Sequence, residues 1–159
     1  MSTYLRLRAV PASAQRNSPT WMEHLFAGNP ETNLYRGGRH GEKALTKRCM
    51  DQERIYAGAL PYGPDVVLGG RSVFRADRHK PPLLVLTAAQ ARQVAGFLAT
   101  VDFEALWHAA GDGVLPRHGG VISEPETYGA FAAAHQELRA FYVHTAEYGD
   151  AVVKWLSEA

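Results

Sequence analysis

The sequence predicts an α+β fold, a helix-rich single domain over residues 1–159 whose small sheet includes the N- and C-terminal strands. A length of 159 residues is typical of one domain. Patterns of helical spacing predominate along the chain, and the segments with strand character are few and short. Because these strands do not alternate regularly with helices, their order favours α+β over a doubly wound α/β sheet.

The first two elements are predicted near the N-terminus. "TYLRLRAV" alternates, with Leu5, Leu7 and Ala9 on one side, which indicates a half-buried strand. Ser18 before Pro19 predicts the start of a short helix, because serine accepts a hydrogen bond from the first turn and proline fits the first helical position. The apolar residues expected on one face of this helix are Trp21, Leu25 and Phe26.

Residues 33–48 are the most ambiguous part of the chain. Glycines and arginines dominate the first half of 33–48, which indicates a loop, whereas a helix is predicted from about Glu42 to Ala57, where proline and glycine are absent. "DVVLGG", residues 65–70, predicts a short buried strand and then a glycine turn. A phosphate-binding loop would need a helix after the glycines, and the charged, proline-containing segment after Gly70 does not have that pattern.

Two helices are predicted after the apolar run "LLVL", residues 83–86, which has strand character. Thr87 and Gln90 have the spacing of a capping box, in which each side chain bonds the backbone of the other residue, so a helix should begin there. Asp102 is expected to cap a second helix, and Gly111 is expected to end it.

The longest helix is predicted from about Pro125 to Tyr148, with Gly149 ending it. Its central position in the fold should bury the residues that share one face. The residues in phase are Tyr128, Phe131, His135, Leu138 and Tyr142. The final segment, "AVVKWL", is rich in β-branched and aromatic residues and is expected to pair as a strand with "TYLRLRAV".

Charge and cysteine content exclude several classes of protein. A formal net charge of +1 provides no long-range field for nucleic acid or an anionic membrane, so neither is expected as a partner. No window reaches the roughly 18 apolar residues of a membrane span. A single cysteine, Cys49, cannot form an internal disulfide and fits a reducing compartment, so a cytoplasmic location is predicted.

Residue patterns with known chemistry are absent from the sequence. The seven histidines lack the H-E-x-x-H spacing of a zinc site, and no Gly-x-Ser-x-Gly elbow is present. Cys49 lies on the apolar side of its predicted helix, which favours a buried, inert thiol. We therefore assign no catalytic residue, metal ligand or cofactor, and the interpretation leans away from an enzyme.

Three segments carry a resemblance to a known family. They are "VVLGGRSVF", "LLVLTAAQARQVAGFLATVDFEALW" and "AFYVHTAEYGDAVVKWL". Together they resemble the YfbM-like family, small bacterial α+β domains of uncharacterised function, mainly over residues 60–156. The resemblance implies a fold and brings no activity, substrate or catalytic residue.

Two functions remain open from the sequence. The leading hypothesis is a non-enzymatic module that binds another protein, for example an inhibitor or immunity-type partner of a toxin enzyme. The alternative is a small-molecule-binding protein or enzyme, with its site between the Gly69-Gly70 turn and the long C-terminal helix. A concave pocket where Tyr62, Arg71 and a buried histidine such as His135 converge would favour the alternative, and a flat apolar patch would favour the first hypothesis. The candidate contact residues are Tyr56, Tyr62, Arg71, Trp107 and His135.

Overall fold

A five-stranded antiparallel sheet forms the centre of the computed structural model, which describes residues 3–27, 42–45, 49–114, 120 and 124–158. The strand order is β2-β1-β5-β4-β3, and every neighbouring pair is antiparallel. The α+β prediction is therefore confirmed. The strands are β1 (Thr3–Val10), β2 (Glu42–Leu45), β3 (Arg71–Val73), β4 (Leu83–Leu86) and β5 (Ala151–Glu158).

The predicted pairing of the first and last strands is also confirmed. β1 and β5 align over their full lengths, from Thr3 opposite Glu158 to Val10 opposite Ala151. β5 also pairs with β4, so the last described strand lies in the middle of the sheet.

Helices cover both faces of this sheet. The helices are α1 (Pro19–Leu25), α2 (Cys49–Ala57), α3 (Ala88–Thr100), α4 (Phe103–Val114) and α5 (Glu124–Glu147). On one face α3 and α5 pack side by side, and α4 packs against α2. On the other face lie α1 and a short 3₁₀ segment, Ala12–Arg16.

Coverage on both sides corrects the prediction that the N-terminal strand is half-buried. Leu5 and Leu7 face the α3–α5 side, while Val10 packs among the residues under α1. Even Arg6, on the α1 side, is only 4% exposed. Alternating charge indicated a solvent face, but the two arginines instead reach the end of α1. Arg6 donates to the carbonyl of Phe26, and Arg8 donates to that of Leu25.

The helix predicted over residues 42–57 is wrong in its first part. Glu42–Leu45 is an edge strand paired with β1, and the helix begins only at Cys49. The sequence is compatible with a helix there, so the pairing with β1 decides the structure. The loop predicted at residues 33–41 lies outside the described residues.

"DVVLGG" is not a strand, which corrects a third prediction. Pro64 lies in a short 3₁₀ turn, Gly63–Asp65, and Val66 to Leu68 continue as turns, with Val66 and Val67 buried. A short apolar run indicates burial but does not distinguish a buried turn from a buried strand. The strand, β3, begins just after the glycines, at Arg71.

Two predictions in the helices are also corrected. Trp21 does not join the buried face of α1: it is 37% exposed, and Met22 is buried instead. Gly111 does not end α4, which continues to Val114. A glycine inside a helix costs about 1 kcal/mol relative to alanine, and the tertiary contacts of α4 exceed this cost.

Local capping signals are confirmed at four helix ends, one of them at Asp102, whose Oδ1 accepts the N–H of Glu104 at 3.0 Å. The Ser18 hydroxyl accepts the N–H of Trp21, and the Thr87–Gln90 capping box forms in both directions. Gly149 follows α5 with φ +65°, a backbone conformation that side chains other than glycine rarely adopt.

Candidate functional site

Lys154, on β5, is a fully buried charged residue. Its side chain is 0% exposed and faces the α3–α5 side of the sheet, as does Leu7, its register partner on β1. The ammonium group donates to three backbone carbonyls, those of Asp65 at 2.6 Å, Gly69 at 2.9 Å and Val66 at 3.4 Å. A buried ammonium is tolerated only when such acceptors surround it.

The surroundings of Lys154 perturb its pKa and that of a nearby acid. Burial lowers the pKa of Lys154 to about 7, although the Glu53 and Asp65 carboxylates act in the opposite direction. Burial raises the pKa of Glu53, whose carboxylate accepts the N–H of Leu68 at 2.9 Å. The Tyr142 hydroxyl donates to the Val66 carbonyl at 2.7 Å. The segment 65–69 is therefore tied directly to α2, α5 and β5.

These hydrogen bonds lie where the sequence suggested the alternative site, between the Gly69-Gly70 turn and α5. The interval between the Gly69-Gly70 turn and α5 is crossed by the hydrogen bonds of Lys154 and Tyr142. Two cavities, one beside Arg71 and one beside Trp155, have no lining residue from the turn 65–70 or from α5. We therefore interpret Lys154 as a structural clamp on the turn.

A second buried polar group joins α2 to α5. The Tyr56 hydroxyl is 2.8 Å from His135 Nδ1 and also accepts the side-chain amide of Gln52 at 3.0 Å. The tyrosine oxygen accepts the hydrogen bond from the Gln52 amide, so its hydroxyl proton is available for a hydrogen bond to His135 Nδ1. Burial, with a smaller contribution from Arg139, lowers the pKa of His135, and burial raises the pKa of Tyr56. The ring of His135 stacks on Phe103 at 4.7 Å.

Three of the five candidate contact residues therefore lie in one buried region. Tyr56 and His135 are bonded, and Trp107 packs on Phe131 in the adjoining apolar cluster. Their burial leaves little side-chain surface for a partner.

The other two candidates lie apart from this region in the described contacts. Tyr62 is half-buried where the 3₁₀ turn Gly63–Asp65 begins. Arg71 is exposed on β3 and donates to the Gln15 carbonyl at 2.8 Å. The described contacts therefore do not bring Tyr62, Arg71 and His135 together in one pocket.

Sequence reasoning missed an open groove beside β5. Its volume is about 360 Å³, and it lies between residues 75–81 and the C-terminal half of β5. Pro81 and Pro82 precede β4, and the register of β4 with β5 ends at Leu84 opposite Lys154. The lining residues are Arg75, His79, Lys80, Pro81, Trp155, Leu156 and Ser157.

The groove combines an aromatic wall with basic side chains. The guanidinium of Arg75 lies 5.1 Å from the ring centre of Trp155, and its Nε bonds the Glu23 carboxylate at 2.7 Å. His79 and Lys80 are exposed on the opposite wall. Of the described side chains that line the groove, the ionisable ones are all basic. A basic run directly before two prolines was the available sequence signal.

Two further features are absent from the part of the chain that the structure describes. Over residues 3–27, 42–45, 49–114, 120 and 124–158, no helix has the length and apolar character needed to cross a membrane. Within the same ranges, no group of three or more histidine, cysteine or acidic side chains is arranged to hold a metal ion.

The described chain is of the α+β class, with an antiparallel sheet covered by helices on both faces. A groove with basic side chains lies beside one strand, β5. The architecture is YfbM-like. It matches the crystal structure of YfbM from Escherichia coli, described as a protein of unknown function, with a TM-score of 0.62 and 12% sequence identity. The match covers 99% of this chain and 100% of that chain. At this identity the likeness shows the fold alone.

Sequence comparison adds no further relative. No family model matches the chain, and no curated protein matches it.

Proposed function

We propose that this protein is a non-enzymatic binding module whose groove takes an extended acidic segment of a partner protein. The observation that carries the proposal is the edge of β5 that no described strand covers, beside basic and aromatic side chains. Over residues 155–157, β5 has β1 on one side and the groove on the other. Backbone groups on an uncovered edge are ready to pair with an added strand.

The size of this edge sets the length of the bound segment. Three residues of strand span about 10 Å, so the backbone pairing would involve about three residues of the partner. Trp155 and Leu156 are half-buried and offer apolar contact to alternate side chains of the partner. Aromatic residues of this kind commonly contribute most of the binding free energy in an interface.

Charge selects the chemistry of the partner. Lys80 and His79 are exposed, and Arg75 is held in place by Glu23 and Trp155. An acidic segment would complement these groups, whereas a basic one would be repelled. An inhibitor or immunity-type protein is one form of this function, in which the acidic segment belongs to a toxin enzyme.

The test uses random peptides displayed on phage and selected against the purified protein. We expect the selected peptides to be acidic and extended. Their affinity should fall about tenfold in Lys80→Glu and remain unchanged in Arg92→Glu, because Arg92 is exposed on α3 away from the groove. The two variants alter net charge equally, so a loss in both would reveal only nonspecific attraction and contradict the proposal.

A second measurement tests the strand geometry. Methylation of alternate backbone nitrogens in a selected peptide removes the donors that an added strand needs. We expect one of the two methylation patterns to abolish binding and the backbone amides of residues 155–157 to exchange more slowly in the complex. If both methylated peptides bind as well as the parent peptide, strand addition is wrong.

A further inference from the structure

We propose that a cavity on the α1 side of the sheet, where the 3₁₀ segment Ala12–Arg16 meets β3 and β4, binds a small anionic molecule that also carries an N–H or O–H donor. The cavity has a volume of about 560 Å³, within the range of small-molecule sites. It shares no lining residue with the groove beside β5. Its chemistry comes mainly from Gln15, Arg16 and Arg71, over a floor that includes Val73 and Val85.

Two guanidinium groups supply the positive charge. Arg71 is oriented by the hydrogen bond from its Nη2 to the Gln15 carbonyl at 2.8 Å, which leaves the other N–H groups of the fork for a ligand. Arg16 is exposed at the same cavity. Among the described lining residues there is no carboxylate to neutralise them. Guanidinium groups bind phosphate and carboxylate through paired hydrogen bonds.

A separate observation points to a donor on the ligand. The side-chain oxygen of Gln15 is buried and has no hydrogen-bond partner in the described structure. A buried acceptor without a donor is unfavourable, and native proteins rarely leave one unpaired. Gln15 lines the cavity, and a rotation of its side-chain amide on binding would present this oxygen to an N–H or O–H group of the bound molecule. The apolar floor formed by Val73 and Val85 accommodates the remainder of a small molecule.

Four probes separate these requirements. At about pH 8, where a phosphate monoester has lost both protons, O-phosphoserine and aspartate carry their anionic groups and an ammonium donor, whereas their analogues without the amine, 3-phosphooxypropionate and succinate, carry the same anionic groups and no donor. Binding is measured by calorimetry and by NMR titration of the side-chain signals of Arg71 and Gln15. We expect at least one donor-bearing probe to bind about tenfold more tightly than its matched anion. The phosphate and carboxylate pairs then identify which acid the site prefers.

Matched variants assign the effect to the cavity. Arg71→Gln should weaken every probe about tenfold, whereas Arg92→Gln, which removes an exposed arginine on α3, should change none. Gln15→Leu should remove the preference for donor-bearing probes and leave binding of the simple anions intact. Thermal melting of each variant establishes that it is folded.

Three results would overturn the inference. The first is equal affinity within both probe pairs. The second is unchanged binding in Arg71→Gln. The third is the absence of binding and of NMR shifts at Arg71 and Gln15 up to millimolar probe in the folded wild-type protein.

Discussion

At the scale of single residues, Lys154 shows how a buried charge is accommodated. Three carbonyls of the turn 65–69 surround its ammonium group, and the Glu53 carboxylate bonds the same turn. The pairing arises between residues 85 to 89 positions apart. One lysine in "AVVKWL" gives no sign of this, since an isolated charge in a strand ordinarily faces water. Its role therefore could not be predicted from the sequence.

The depressed pKa of Lys154 makes stability depend on pH. Between its folded pKa of about 7 and its ordinary value of 10.5, the unfolded chain binds more protons than the folded one, so the free energy of unfolding rises with pH. The slope is at most about 1.4 kcal/mol per pH unit. Denaturant unfolding between about pH 7 and pH 9 should show this rise in the wild type and a flatter profile in Lys154→Met. Equal slopes in the two proteins would contradict it.

The burial of His135, unlike that of Lys154, could be predicted from the sequence, because it follows from the position of His135 on its helix. The sequence places it in line with Phe131 and Leu138, and the structure buries all three. Its partner Tyr56 lies 79 positions away and was named only as a separate candidate contact. The sequence therefore predicted the environment of His135 but not the specific tyrosine that it bonds.

Replacement of His135 by glutamine tests this structural role. We expect His135→Gln to lower the free energy of unfolding by about 1 kcal/mol at neutral pH, because the bond to Tyr56 is disturbed. The pKa of His135 is lowered in the folded state, so the wild type loses stability as pH falls below 6.5. The difference between the proteins should shrink in acid. Loss of peptide binding without loss of stability would instead assign His135 to a binding site.

At the scale of elements, predictions succeeded where the signal is local. The capping box at Thr87 and the glycine after α5 are decided by neighbouring residues, and both are present. The strand Glu42–Leu45 and the turn 65–69 depend on distant partners, β1 in one case and Lys154 in the other. Their sequences do not contain that information, which explains why both were predicted incorrectly.

Helix α5 stabilises the protein through the residues that it buries, and a substitution of Phe131 tests this contribution. Its side chain is fully buried and packs on Trp107 with ring centres 5.8 Å apart. We expect Phe131→Ala to destabilise the protein by about 3–5 kcal/mol. The exposed residue Gln136, on the same helix, provides the control, and Gln136→Ala should change stability by less than about 0.5 kcal/mol. Melting of Phe131→Ala within a degree or two of the parent would refute the prediction.

At the scale of the whole molecule, β5 connects the two halves of the sheet. It pairs with β1 on one side and β4 on the other, and its side chains enter the apolar clusters on both faces. Deletion of residues 153–159 should therefore give an unfolded or aggregated product. Circular dichroism and size-exclusion chromatography would detect this outcome, and a monomeric, cooperatively melting truncated protein would contradict it.

The central position of β5 also has a consequence for synthesis on the ribosome. Translation delivers the N-terminal part of a chain first. All residues of the β1–β2 and β3–β4 pairs are therefore synthesised before β5. Each pair, once formed, exposes the edge that β5 occupies in the complete sheet. Such edges pair readily with other chains. The nascent protein is thus most exposed to aggregation in the interval before its final strand is translated, and slow release or crowded polysomes should lower its yield more than they would for a sheet built in sequence order.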